Sequence, residues 1–228
     1  MAPLLYSLVR STRPSSVVEL GCGYTTLFLA QALRDAARDA EEESVRSANW
    51  PEEQRWLLWG SAKSDRLIQE WAQRGAYWGR GELWERAKKP YAPTLQCVDS
   101  FGSEDWQAGD YEQTARQLGL DGVTSMQSAD WLSWEASLPP DFTIDFLWWD
   151  GFVPEMFDRM WRRVSPNGGL CVLHSTLGNH RNWAFVQDLK LKQATQEFRD
   201  FELLSLLEPH KWAQNSCTVL RKTSAYEP

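Results

Sequence analysis

Four carboxylates and one histidine each lie in, at the end of, or just beyond a short apolar run. Glu19 lies in Val17-Val18-Glu19-Leu20, and Asp99 closes the run from Leu95. Asp130 follows the run Val123 to Gln127, Asp150 follows Ile144 to Trp149, and His174 closes Leu170 to His174. The first run leads into Gly21-Cys22-Gly23-Tyr24-Thr25-Thr26. Glycines there permit positive φ and let a ligand approach the backbone closely. A helix starting directly after them offers free N–H groups to a polar or anionic ligand. Glu19, just before the glycines, suits a cationic ligand such as a sulfonium amino acid with its ammonium group. His174 can move a proton near neutral pH. A dinucleotide fingerprint, G-x-G-x-x-G/A, needs a small residue where Thr26 stands. A nicotinamide-dependent oxidoreductase is therefore disfavoured.

Five segments in order carry a family resemblance. VVELGCGYTT, LQCVDSF, SADWL, IDFLWWDGF and VSPNGGLCVLHS resemble the successive motifs of class I S-adenosylmethionine-dependent methyltransferases of the small-molecule type. The resemblance covers roughly residues 14–178 apart from an insertion. It implies S-adenosyl-L-methionine as cofactor and S-adenosyl-L-homocysteine as product. It also implies cofactor contacts from Glu19, Gly21, Cys22, Gly23 and Thr25. Asp99 would hold the ribose hydroxyls, with Ser100 beside it and Phe101 near the adenine. Ala129, Asp130 and Trp131 would meet the adenine, Asp130 by accepting from its amino group. Asp150 would lie beside the methionine moiety. Each residue also has a plainer reading. The glycines could make a tight turn, Asp99 or Asp130 could cap a helix, and His174 could be structural.

For the transfer itself, His174 is the expected general base or orienting group and Asp150 its neighbour. Catechol-type members hold Mg²⁺ on oxygens from acidic residues after the fourth and fifth strands. Here the second position reads His174-Ser175, which does not complete a hard oxygen site, and no His or Cys pair has zinc-ligand spacing. No catalytic metal is expected. The N/D-P-P-Y/F signature of nucleobase and amide methylation is absent, since the chain reads Asp150-Gly151-Phe152-Val153-Pro154. The expected acceptor is a small molecule, with an aromatic natural product among the candidates. The alternatives are a non-catalytic S-adenosylmethionine-binding partner subunit and, further off, the oxidoreductase.

The elements needed to position these residues follow from the pattern. Strands are expected at Val17–Leu20, Leu95–Asp99, Val123–Gln127, Ile144–Trp149, Leu170–His174, Phe201–Leu207 and Cys217–Arg221. Helices are expected over Thr25 to about Ala48, Val153–Val164 and Asn182 to about Phe198. The alternation predicts an α/β fold: a doubly wound, mostly parallel, seven-stranded sheet with an antiparallel last strand and the closing strand pair at its edge. Ligands of such sheets sit beyond the carboxyl ends of the strands. Residues 50–93 exceed what a simple crossover needs and are expected to be a helical insertion, serving as a lid or a homodimer contact within a single domain spanning 1–228.

The chain has 228 residues, 43% hydrophobic and 24% charged, with 24 basic against 31 acidic residues and a net charge of −7. That is a globular balance. The acidity argues against nucleic acid and anionic lipid as partners. No apolar run reaches the length of a membrane span and no leader pattern is visible. Four widely spaced cysteines read as reduced thiols, so a cytoplasmic location is expected. There are 14 tryptophans. Six of them, Trp50, Trp56, Trp59, Trp71, Trp78 and Trp84, fall in the insertion, as an aromatic wall for an acceptor or as packing.

Overall fold

The computed structural model describes residues 1–49, 90–100, 108–195, 197, 200–208, 211 and 214–223. The Trp-rich stretch from 50 to 89 and Phe101 lie outside the described residues. Seven strands form one sheet: β1 (Ser16–Leu20), β2 (Thr94–Asp99), β3 (Thr124–Ser128), β4 (Phe146–Trp149), β5 (Leu170–His174), β6 (Phe201–Leu207) and β7 (Ser216–Lys222). Their order is β3-β2-β1-β4-β5-β7-β6. β1 to β5 run parallel, and β7 is antiparallel to both β5 and β6. The order reverses between β1 and β4, so the crevice of an open α/β sheet falls beside the Gly21 turn.

The helices are α1 (Ala2–Thr12), α2 (Tyr24–Asn49), α3 (Ala108–Gln117), α4 (Trp131–Ser137), α5 (Phe157–Arg163) and α6 (His180–Ala194), with a 3₁₀ turn at Pro154–Met156. Two buried clusters flank the sheet. One joins α1 and α2 to Val17, Leu95, Phe146, Trp148 and Val172. The other joins Trp134, Phe157, Trp161 and Leu189 to Val18, Leu147, Trp149 and Leu173. Successive strand residues point to opposite faces. A strand covered on both sides must therefore be apolar throughout, and this is why Trp148 and Trp149 are both fully buried. Among the described residues no helix is long and apolar enough to cross a membrane.

Several expectations need correction. β4 begins at Phe146, because Ile144 pairs only with Val164 in an isolated bridge. The helix expected from Val153 is a 3₁₀ turn followed by seven residues of α5. The closing strands do form an antiparallel pair at the sheet edge, with β6 outermost and β7 between β5 and β6. Two helices carried no expectation. α1 has Pro3 in its first turn, buries Leu5 and Val9, and ends at Arg13 with φ of 47°. Its polar face is clasped to α2 by the Tyr6 hydroxyl donating to Asp35 at 2.8 Å and by both guanidinium ends of Arg13 on Glu43 at 2.7 and 2.6 Å. α3 buries Tyr111 and Ala115, one turn apart on a single helix face.

Candidate active site

The glycine turn is built by the sheet's own ladder. The Gly21 N–H donates to Val98 O at 3.0 Å and the Asp150 N–H to Leu20 O at 2.8 Å, so β1, β2 and β4 finish level with one another. Gly21 has φ of +87°, and a Cβ there would meet the Asp150 carbonyl oxygen at 2.8 Å. Only glycine satisfies both limits. The turn is held from β2 by Asp99, whose Oδ2 accepts from the Cys22 N–H at 2.8 Å. It is held from α2 by Thr26, whose hydroxyl accepts from the Gly23 N–H at 3.1 Å.

Glu19 is fully buried beneath the turn. The Thr25 hydroxyl donates to its Oε1 at 2.7 Å, while Oε2 has no hydrogen-bond partner. Burial pushes the Glu19 carboxyl up to about 8, against the opposing pull of the Thr26 and Thr25 hydroxyls and the Cys97 thiol. At neutral pH this group is mostly an uncharged acid until a cation arrives beside it. Thr25 is itself buried, so its hydroxyl serves Glu19 rather than the cleft.

The end of β3 joins the same edge through the Ala129 N–H, which donates to Asp99 O at 3.0 Å. Asp130 caps α4: its Oδ1 accepts from the Leu132 and Ser133 N–H groups at 3.0 and 3.1 Å, and these bonds with the Ser133 hydroxyl hold its carboxyl below the usual range. Its plainer reading is thus realised; its side chain is exposed. Trp131 stands edge-on to Trp149 with ring centres 6.1 Å apart, and its ring lies 3.4 Å from where a Cβ on Gly151 would be. Ser100 is exposed at the end of β2.

On the β5 side, His174 Nδ1 lies 2.5 Å from Asp150 Oδ1, and its Nε2 lies 3.2 Å from Gln214 O. A carbonyl can only accept, so Nε2 carries a hydrogen. The other nitrogen shares a proton with Asp150. The ring packs against Trp148 with centres 5.1 Å apart and is 6% exposed, whereas the Asp150 side chain is about a third open. Two residues near this pair are in the left-handed region, Ser175 (φ 53°) and Gln214 (φ 49°). Such backbone is costly for non-glycine residues and gathers at functional sites.

The edge thus brings together Glu19, Gly21, Cys22, Gly23, Asp99, Asp150 and His174. Sequence reasoning missed Tyr111 and Cys97. Tyr111 is buried, and its hydroxyl is pushed up first by burial and then by Cys22, Glu19, Asp99 and Cys97. Its only sequence signal is an apolar pairing with Ala115 one turn on.

By sequence, no family model and no curated protein matches this chain. Solved structures do match. An O-methyltransferase from Bacillus cereus in complex with SAH aligns at a TM-score of 0.58 with 13% identity, covering 97% of this chain and 80% of that one. The O-methyltransferase TomG from Streptomyces achromogenes, involved in tomaymycin synthesis and solved with SAM, aligns at 0.56 with 14% identity, over 97% and 79%. An rRNA methylase from Streptococcus thermophilus aligns at 0.51 with 10% identity, over 96% and 93%. Identities this low speak for architecture, and what they show is that this chain has the fold of the class I S-adenosylmethionine-dependent methyltransferases.

Proposed function

We propose that the protein is an S-adenosylmethionine-dependent methyltransferase acting on an oxygen, nitrogen or carbon of a small molecule. The observation that carries this reading is the convergence at one sheet edge. A turn only glycine can make, a buried carboxyl with a spare oxygen, Asp99 and the Asp150–His174 pair all meet beside the strand-order reversal. The donor set fits the cofactor. Glu19 answers a cationic amino acid end, the bare Gly21–Gly23 backbone admits close approach, and Asp99 at the end of β2 suits a ribose diol. Ser100, Ala129 and Trp131 border the adenine side. Phe101 belongs to the same proposal.

When bound, the cofactor supplies an electrophilic methyl on a sulfonium. The chain's own work is to hold the acceptor in line and, where the acceptor carries a proton, to take it. His174 is enclosed and both its nitrogens are engaged, so an acceptor proton enters through the more open Asp150. His174 holds that carboxylate in place through the Nδ1–Oδ1 contact. The net charge of −7 favours a small acceptor over nucleic acid. A cytoplasmic location and a homodimer formed through the insertion belong to the same proposal.

Thermal shift of the purified chain separates the readings. S-adenosylhomocysteine should raise the melting temperature and NAD(P) should not. The reverse pattern would favour an oxidoreductase. Binding without transfer to any of a broad acceptor panel would favour the partner subunit.

A further inference from the structure

Beneath the glycine turn, three potential ligand atoms of Glu19, Cys22 and Cys97 lie within 4.8 Å of one another. Glu19 and Cys97 are register partners on the paired strands β1 and β2, so both point to the same face of the sheet. Cys22 closes the cluster from the turn above. In sequence Cys97 stands far from Glu19 and Cys22, and no His or Cys pair with metal-ligand spacing reveals the cluster.

A second observation concerns the carboxyl itself. Glu19 is fully buried, Thr25 satisfies its Oε1, and no donor meets hydrogen-bond geometry at its Oε2, although the Thr26 hydroxyl and the Cys97 thiol are close enough to draw the carboxyl down. A buried carboxyl oxygen left without a partner calls for an occupant, a water or an ion. The chemistry of the donor set narrows the choice. Two sulfurs with one oxygen do not suit Mg²⁺ or Ca²⁺, which take oxygen ligands. They do suit a borderline-soft divalent ion.

We propose that Glu19, Cys22 and Cys97 form a binding site for a thiophilic divalent cation of the zinc class, with the fourth position open on the Cys22 side. Tetrahedral zinc needs ligand atoms about 3.6–3.8 Å apart, so with all three atoms within 4.8 Å of one another the cluster has to tighten by no more than roughly 1 Å. Cys22 can supply that movement, since it is half-buried in a turn while the other two are fixed on strands. The Thr25 bond to Oε1 already orients the carboxylate, as outer hydrogen bonds do at metal sites. Binding replaces both thiol protons and any proton on Glu19, and these pass to solvent. The ion would tie the turn to β2 at a second point, beside the bond from Cys22 N–H to Asp99. The site shares Glu19 and Cys22 with the proposed cofactor site, and a bound ion takes the Glu19 oxygen that a cationic ligand would otherwise face; the cadmium band reads the thiolates alone, so its failure leaves the methyltransferase reading standing.

The test is a titration of reduced, chelator-treated full-length chain with Cd²⁺, read by thiolate-to-cadmium charge-transfer absorption in the ultraviolet. The expected result is a band that saturates at one equivalent and is abolished by competing Zn²⁺. Cys22→Ser and Cys97→Ser should each weaken binding about tenfold or more, and Glu19→Gln should weaken it while keeping the band. Cys171→Ala and Cys217→Ala should leave it unchanged. If Cys97→Ser fails to fold by circular dichroism, Cys22→Ser decides alone. No band at one equivalent would overturn the site, as would an undiminished band in Cys22→Ser.

Discussion

His174 Nε2 faces the Gln214 carbonyl and its Nδ1 faces Asp150, so no lone pair of the ring is open to an acceptor. This divides the labour between the two residues. Asp150→Asn should lower turnover by roughly 10²–10⁴-fold while S-adenosylhomocysteine affinity stays within a few-fold. His174→Ala should lower kcat with a displaced pH profile, and His174→Gln should recover part of the loss. Equal turnover in Asp150→Asn and wild type would remove Asp150 from the chemistry.

Glu19 gives a prediction about pH. Its carboxyl is raised from 4.5 to about 8 by burial. In that window the folded chain holds a proton that the unfolded chain has lost, so stability falls as pH rises from about 4.5 through about 8. Glu19→Gln cannot titrate and escapes this fall. Melting curves from pH 5 to 9 should show the variant gaining on wild type as pH rises, at about 2–4 °C per kcal/mol. Parallel curves would show that Glu19 does not titrate in that range.

Glu19, Asp99, Asp150 and His174 were legible in the sequence because acids and a histidine at the ends of apolar runs are conspicuous. Cys97 and Tyr111 were not. Their place depends on strand register and on how α3 docks, which no local pattern encodes.

At the scale of elements, the strands were the readable part, since strands buried on both faces are apolar throughout. α1 is short and buries only Ala2, Leu5 and Val9 fully, and its polar face acquires meaning against Asp35 and Glu43 of α2. The glycine turn is where element geometry is least forgiving. Gly21→Ala places a methyl 2.8 Å from the Asp150 carbonyl oxygen at a φ of +87°. It should cost about 1–3 kcal/mol in urea unfolding. Gly23→Ala should cost less, because no atom lies within 4 Å of its added Cβ. Equal costs at the two positions would mean that the close approach of β1 and β4 is not what fixes the turn.

At the scale of the whole molecule, the late insertion of β7 between β5 and β6 completes both the core and the site. β7 presents Lys222, whose buried ammonium donates to Trp161 O at 2.8 Å and Val164 O at 3.1 Å, at the end of α5. Burial holds its pKa below the usual lysine value. Lys222→Met removes both bonds, leaving the Trp161 carbonyl only the Val164 N–H at 3.2 Å, and should destabilise the fold by about 1–3 kcal/mol in urea unfolding; no loss would make the bonds dispensable. The loop between β6 and β7 carries Gln214, the carbonyl partner of His174. Sequence shows two late strands, but their spatial order, with β7 between β5 and β6, depends on long-range pairing that no local pattern encodes.

The central claim is that the Gly21 turn and Asp99 bind S-adenosylmethionine, and calorimetric titration of the chain with S-adenosylhomocysteine tests it most directly. The expected result is one site per chain, weakened about tenfold or more by Asp99→Ala, a loss of about 1.4 kcal/mol or greater. Absence of binding by the wild-type chain, or equal affinity in Asp99→Ala, would contradict it.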